Sequence, residues 1–357
     1  MSIAPRHERT TTAPTLEVPA AELTVEQQRE LYRLLAAVRH LDVSAIAWQR
    51  QGIIPGYAPG RGQEAAQVGS AFALERGSDF VFPTYREVGV ARAWGVDMVA
   101  YMSTHKATWH GGLYDPAASR FAPIQAVVGG SVLHAVGWAH GQTLDGRKAD
   151  GTLNAAISYF GDGASSQGDV HEAMNFAAIF KAPVIFFVQN NGWAISVPTE
   201  RQVAGGSVSA RALGYGMATV QVDGNDVEAV YAATKAARAY AAAGHGPVLI
   251  EAMTYRRGPH STSDDPGRYR SLEDERTDGG QDPVDRYAEA LRTAGVADDE
   301  FFAQALAEAQ AEENAIREGV AAMDPRPGTE MFDFVFQEPT GALRAQANHW
   351  REESEHV

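Results

Sequence analysis

Hydrophobic and polar positions alternate little through the middle of this chain. Pro183–Val188 (PVIFFV) is apolar without a break, as expected of a strand buried on both faces. Leu153–Phe160 (LNAAISYF), Met217–Val222 (MATVQV) and Pro247–Met253 (PVLIEAM) read as further strands. Between them lie Val170–Lys181, a helix that is apolar on nearly every side, and an Ala-rich helix over 226–243 with Asn225 placed to cap it. This βαβαβ rhythm predicts an α/β fold, a doubly wound and mostly parallel sheet with helices on both faces.

Upstream, Thr24 and Gln27 fit a capping box, and a helix is predicted from Val25 to about Gln51, with Gly52 suited to its C-terminal cap. Ile53–Gly62 is turn chemistry. Gln63–Arg76 reads as a second helix, Phe80–Phe82 as a short strand and Val96–Lys106 as a third helix. Residues 108–131 show no regular pattern, and so long a loop inside a compact domain is usually functional or mobile. Beyond Tyr255 a polar loop runs to about Ser271, followed by helices over Pro283–Thr293 and Asp298–Met323. The expected organisation is a disordered tail (1–22), one α/β domain with a helical C-terminal region (23–337) and a C-terminal arm (338–357). Order is expected to begin at Thr24.

Composition narrows the function. A formal net charge of −15 argues against nucleic acid or an anionic membrane as partner. The absence of cysteine excludes disulfides, thiolate metal sites and cysteine nucleophiles. Without a secretory signal or a membrane-spanning run, a cytoplasmic location is expected.

The chemistry collects at two strand ends. In YFGDGASSQGD (159–169) an apolar run stops at Asp162, held between Gly161 and Gly163. The next strand ends at Asn190-Asn191. Ligands of doubly wound sheets bind beyond the carboxyl ends of strands. A carboxylate and an amide oxygen meeting there form a hard oxygen set suited to Mg²⁺ or Ca²⁺, and the glycines allow a phosphate close approach. Each motif is weak by itself; the pair, spaced by one helix and one strand, favours a metal-bridged diphosphate. No GxxxxGK[ST] is present, and the run after Gly161 lacks the third glycine of a dinucleotide fingerprint.

Asp162-Gly163 followed by Asn190-Asn191 resembles the thiamin diphosphate motif. The runs VQNNGWAISVPT (188–199), VDGNDVEAVY (222–231) and LIEAMTYRRGPHSTSDDP (249–266) resemble the α subunit of the E1 component of 2-oxo acid dehydrogenase complexes. The resemblance covers roughly residues 24–337. It implies thiamin diphosphate and Mg²⁺ as cofactors, with Asp162, Asn191 and the main-chain carbonyl of Trp193 on the metal. It implies that Gly163, Ala164, Tyr85 and Arg86 contact the diphosphate, that Val128 wedges the cofactor into its bent form, and that His260 is the active-site histidine facing the reactive ring. The implied reaction is oxidative decarboxylation of a 2-oxo acid, with the acyl fragment passed to the lipoyl domain of an E2 acyltransferase.

HSTSDD and VDGNDV look most like the branched-chain enzyme, whereas GDGASSQGD and GPH resemble pyruvate chains equally well. Thr84 is expected to face the pocket but does not decide the substrate. Acetoin dehydrogenase and a non-catalytic scaffold subunit stay open as alternatives. Gln125, Val127 and Gly130 depart from the residues of the family's potassium site, so no potassium is expected. The family's glutamate for cofactor activation comes from a β chain, and Glu64 does not match that role. The chain is therefore expected to be inactive alone and to work in an α2β2 assembly. His110 and His134 are assigned no catalytic role.

Overall fold

A computed structural model describes residues 14–107, 112–324 and 326–354. His110 and the first 13 residues of the expected tail lie outside these. Among the described residues the strands are β1 (Phe80–Phe82), β2 (Ala156–Gly161), β3 (Val184–Asn190), β4 (Trp193–Ala194), β5 (Val197–Pro198), β6 (Ala218–Asp223) and β7 (Val248–Met253). The helices before β2 are α1 (Val25–Arg50), α2 (Glu64–Phe72), α3 (Val88–Trp94), α4 (Met98–Met102), α5 (Pro116–Ser119) and α6 (Gly130–Asp145). Those after it are α7 (Gly168–Phe180), α8 (Arg211–Tyr215), α9 (Val227–Ala242), α10 (Leu272–Asp278), α11 (Pro283–Thr293), α12 (Asp299–Ala321) and α13 (Gly341–Ser354).

The main sheet has the order β1-β2-β3-β7-β6, and every pairing in it is parallel. Its central strand β3 is buried at all seven positions, which explains the unbroken apolar run. Successive side chains still leave by opposite faces. Ile185 and Phe187 join the core beneath α1, α2 and α9. Val184, Phe186 and Val188 join a second core beneath α6 and α7. The sheet is thus covered on both sides, as the alternating pattern predicts.

The N-terminal capping box forms as read: Gln27 N–H donates to Thr24 Oγ1 at 3.2 Å and Thr24 N–H to Gln27 Oε1 at 2.9 Å. Other boundaries differ from expectation for local reasons. The helix expected over Val96–Lys106 is shortened to α4, and it follows a separate helix, α3, which ends where Gly95 takes φ +88°. Asp97 then caps α4, accepting from Val99 and Ala100 N–H. α3 itself was not foreseen. The cap of α9 is Asp226, not Asn225: its carboxylate accepts from Glu228 and Ala229 N–H. The second helix stops at Phe72 rather than Arg76. α6 already begins at Gly130, inside the stretch expected to be irregular. Order also begins before Thr24, since Thr15 bridges in parallel to Thr219 of the edge strand β6 and Leu16 is buried.

Candidate active site

Four strand ends meet at one rim of the sheet, and a cavity of about 240 Å³ opens there. Tyr85 and Arg86 follow β1, Asp162, Gly163 and Ala164 follow β2, Asn191 and Trp193 follow β3, and His260 comes from the loop after β7. All eight line this cavity, together with Val128 from the segment before α6. Residues spread over 176 positions of sequence are thus gathered because parallel strands end on the same side. Thr84 lines the cavity too, its hydroxyl bonded to Glu87 Oε2 at 2.6 Å.

Asp162 is buried to 1% exposure. Its Oδ2 accepts from the Thr199 hydroxyl at 2.5 Å and from Gln202 Nε2 at 2.9 Å. Its Oδ1 has no partner and is equally buried. An unmatched buried acceptor costs about 1–3 kcal/mol, more if charged. Burial raises the Asp162 pKa, with the Thr199 bond opposing the rise. A cation in the cavity would remove both penalties at once. Asn191 is held by Gln63: its Nδ2 donates to Gln63 Oε1 at 3.3 Å, while its Oδ1 accepts Trp193 N–H at 3.2 Å. Among the described residues no cluster of three or more His, Cys, Asp or Glu could hold a metal. The donor set is therefore one carboxylate with neutral oxygens, which fits a hard ion that keeps water and phosphate in its shell.

Gly163 has an ordinary helical backbone, φ −61°. Its lack of a side chain is demanded by packing, since a Cβ there would meet the Ala194 Cβ at 2.6 Å. At Gly161 a Cβ would meet only the Gln189 carbonyl, at 3.9 Å, an ordinary contact. The turn between β3 and β4 uses Gly192 at φ +85°. Ile195, two residues after Trp193, also has a positive φ (+54°), a strained state for a β-branched residue. Its carbonyl is held by Arg256 Nη2 at 2.7 Å.

Arg86 is buried, with its guanidinium 5.5 Å from the Tyr85 ring centroid. It donates to the Pro59 carbonyl, and its Nη2 reaches His260 O at 3.0 Å and Nδ1 at 3.1 Å. Burial and the charges of Arg86 and Arg256 push the His260 pKa down to about 4. The loop is less solvated than its polar sequence suggests, because Arg256 and Arg270 are buried within it. Asp264 accepts both His260 N–H at 2.8 Å and the Tyr269 hydroxyl at 2.5 Å. Glu64 stays out of the cavity, paired with Arg39 at 2.7 Å. His134 is exposed and bonded to Gln125. Gln63, Glu87, Thr199, Gln202 and Arg256 were not singled out from sequence.

The family model described as the dehydrogenase E1 component matches residues 32–327. The chain belongs to this family. It is 44% identical over 333 residues to the 3-methyl-2-oxobutanoate dehydrogenase subunit alpha of Mycobacterium tuberculosis (strain ATCC 25618 / H37Rv), covering 93% of this chain and 89% of that one. It is 39% identical over 320 residues to the pyruvate dehydrogenase E1 component subunit alpha of Bacillus cereus, covering 89% and 84%. The corresponding chain of Bacillus subtilis (strain 168) is 38% identical, with the same coverage. The protein is an E1 α chain and an oxidoreductase of the 2-oxo acid dehydrogenase class. E1 dehydrogenases depend on thiamin diphosphate, and E1 α subunits work with a β subunit. No helix among the described residues is long and apolar enough to cross a membrane.

Proposed function

We propose that this E1 α chain binds Mg²⁺-thiamin diphosphate at the ends of β2 and β3 and, with a β subunit, oxidatively decarboxylates a branched-chain 2-oxo acid. The acyl fragment passes to the lipoyl group of an E2 acyltransferase. The observation that carries the reading is the buried, unpartnered Asp162 Oδ1 beside Asn191 in the cavity. Asp162, the Asn191 amide oxygen and the Trp193 carbonyl would hold Mg²⁺. Gly163 and Ala164 N–H, Tyr85 and Arg86 would hold the diphosphate, Arg86 by its planar fork. Val128 would support the bent cofactor. When bound, thiamin diphosphate supplies the electron sink for decarboxylation. The protein would fix the metal, and His260, which lines the same cavity, would serve the acid–base steps.

The branched-chain assignment is supported by the mycobacterial relative; the Bacillus relatives support pyruvate as the second reading. Steady-state kinetics with 2-oxoisovalerate and pyruvate in parallel separate them. A higher kcat/KM for pyruvate would reverse the order.

The cavity has two carboxylates among the described residues, Asp162 and Glu87. Glu87 is bonded to Thr84 and to Gln189, and Asp162 is assigned to the metal, so neither is assigned to activate the aminopyrimidine. We assign that group to the β chain. An apolar face supports this: Leu144 on α6 and Phe176, Ile179 and Phe180 on α7 are exposed side by side, Ile179 at 64%. Phe180 stacks on His140 of α6 at 4.2 Å, which makes the patch continuous. We assign this face to subunit contact within an α2β2 assembly. The purified α chain is expected to show no decarboxylation until its β partner is added. Full turnover by α alone would refute the shared site.

A further inference from the structure

The turn between α1 and α2 carries groups that the proposed reaction has not used. Asp42 of α1 is completely buried. Its Oδ1 accepts the Tyr57 hydroxyl at 2.8 Å and Gly60 N–H at 2.6 Å. A carboxylate is costly in such a place unless bonded, and both bonds run to this one turn. Tyr57 then grips the His260 loop by its backbone. Its N–H donates to Thr262 Oγ1 at 3.1 Å, and its carbonyl accepts Thr262 N–H at 2.9 Å. Two residues on, the Pro59 carbonyl takes the Arg86 guanidinium. Arg86 in turn reaches His260.

The bonds form a closed circuit from Asp42 through Tyr57 and Thr262 to His260, and back through Arg86 and Pro59. The loop has a second anchor, Asp264, which bonds His260 and Tyr269; the Tyr269 hydroxyl in turn takes Arg256, whose guanidinium holds the Ile195 carbonyl. Asp264 and Arg256 thus shape the loop from the β4–β5 side, whereas Tyr57 ties Thr262 to the turn between α1 and α2.

We propose that Asp42 and Tyr57 are positioning residues that set where His260 and Arg86 stand relative to the cavity. This rests on the reading of His260 as the active-site histidine.

The test uses the assembled α and β chains with a lipoyl domain as acceptor. Thr262→Val removes the acceptor for Tyr57 N–H, Thr262→Ser keeps it, and Tyr57→Phe removes the bond to Asp42. With one buried hydrogen bond lost, kcat for lipoyl acylation should fall about 10-fold in Thr262→Val and Tyr57→Phe. The KM for the 2-oxo acid should move by less than about 2-fold, because His260 and Arg86 shift within the cavity while the substrate's own binding contacts stay in place. Thr262→Ser should restore kcat, and amide hydrogen exchange across 258–264 should quicken in Thr262→Val alone of that pair. Should Tyr57→Phe fail to fold, the Thr262 pair decides. Wild-type kcat in Thr262→Val, or no rescue by serine, overturns the proposal. A fully active His260→Ala overturns the underlying reading instead.

Discussion

Asp162→Asn is expected to abolish measurable binding of Mg²⁺-thiamin diphosphate to the α/β assembly, while leaving the fold intact. Asparagine matches aspartate in shape, so its amide oxygen can still accept from Thr199 and Gln202, as Oδ2 does now. The amide nitrogen then occupies the place of Oδ1, the buried atom without a partner. A donor would face the cation where an anionic acceptor stood. Changes in groups that merely orient metal ligands lower affinity about 10–100-fold, so loss of the ligand itself should exceed about 100-fold. Stability should move the other way. Burial disfavours the Asp162 charge, and the neutral amide escapes that cost. Titration calorimetry and thermal denaturation without cofactor check the two halves. An unchanged Kd would remove Asp162 from the metal.

His260→Ala should lower lipoyl acylation by about 10²–10⁴-fold, the usual range for a positioned acid–base group. Cofactor affinity should change far less, since the diphosphate ligands lie on other strands. His260 is neutral at pH 7, being pushed down to about 4. Arg86 Nη2 donates toward Nδ1, which leaves Nε2 as the nitrogen carrying the proton. In the apo chain, NMR titration should place the His260 midpoint near 4 and not near the ordinary imidazole value of 6.5. The folding consequence has a definite sign. The unfolded chain takes up this proton first, so the stability present above pH 6.5 is lost as pH falls toward 4. His105, buried and also pushed down to about 4, adds to the same loss. A midpoint at 6.5 would show that the ring is not buried beside Arg86 and Arg256 as described.

Much of the site was legible because strand ends announce themselves. The apolar run into Gly161 and the unbroken one into Asn190 can only end at a sheet rim, and parallel pairing puts both ends on the same side. What stayed hidden was the support around them. Thr199 and Gln202 follow the β4–β5 hairpin, and nothing in their spacing says that they fold back onto Asp162. Gln63 reads as the first residue of a helix, yet its side chain holds Asn191. Arg256 reads as part of a solvated loop, but the Ile195 carbonyl draws it inside. Short helices fared worst: α3 has seven residues, and Gly95 behind it reads equally well as a loop. The Asn225–Asp226 ambiguity has a similar origin, as both are good caps and only the backbone decides which one is at the boundary.

The single bridge from Thr15 to Thr219 lies on the outermost strand of the sheet. Without residues 14–22, β6 would lose this backbone bridge on its outer side and offer its whole edge to any neighbouring molecule. Two such edges can pair with each other, and the resulting aggregate grows without any change in the active site. Trimming this end to obtain a tidier protein would thus leave the chemistry intact on paper and make the preparation sticky in practice.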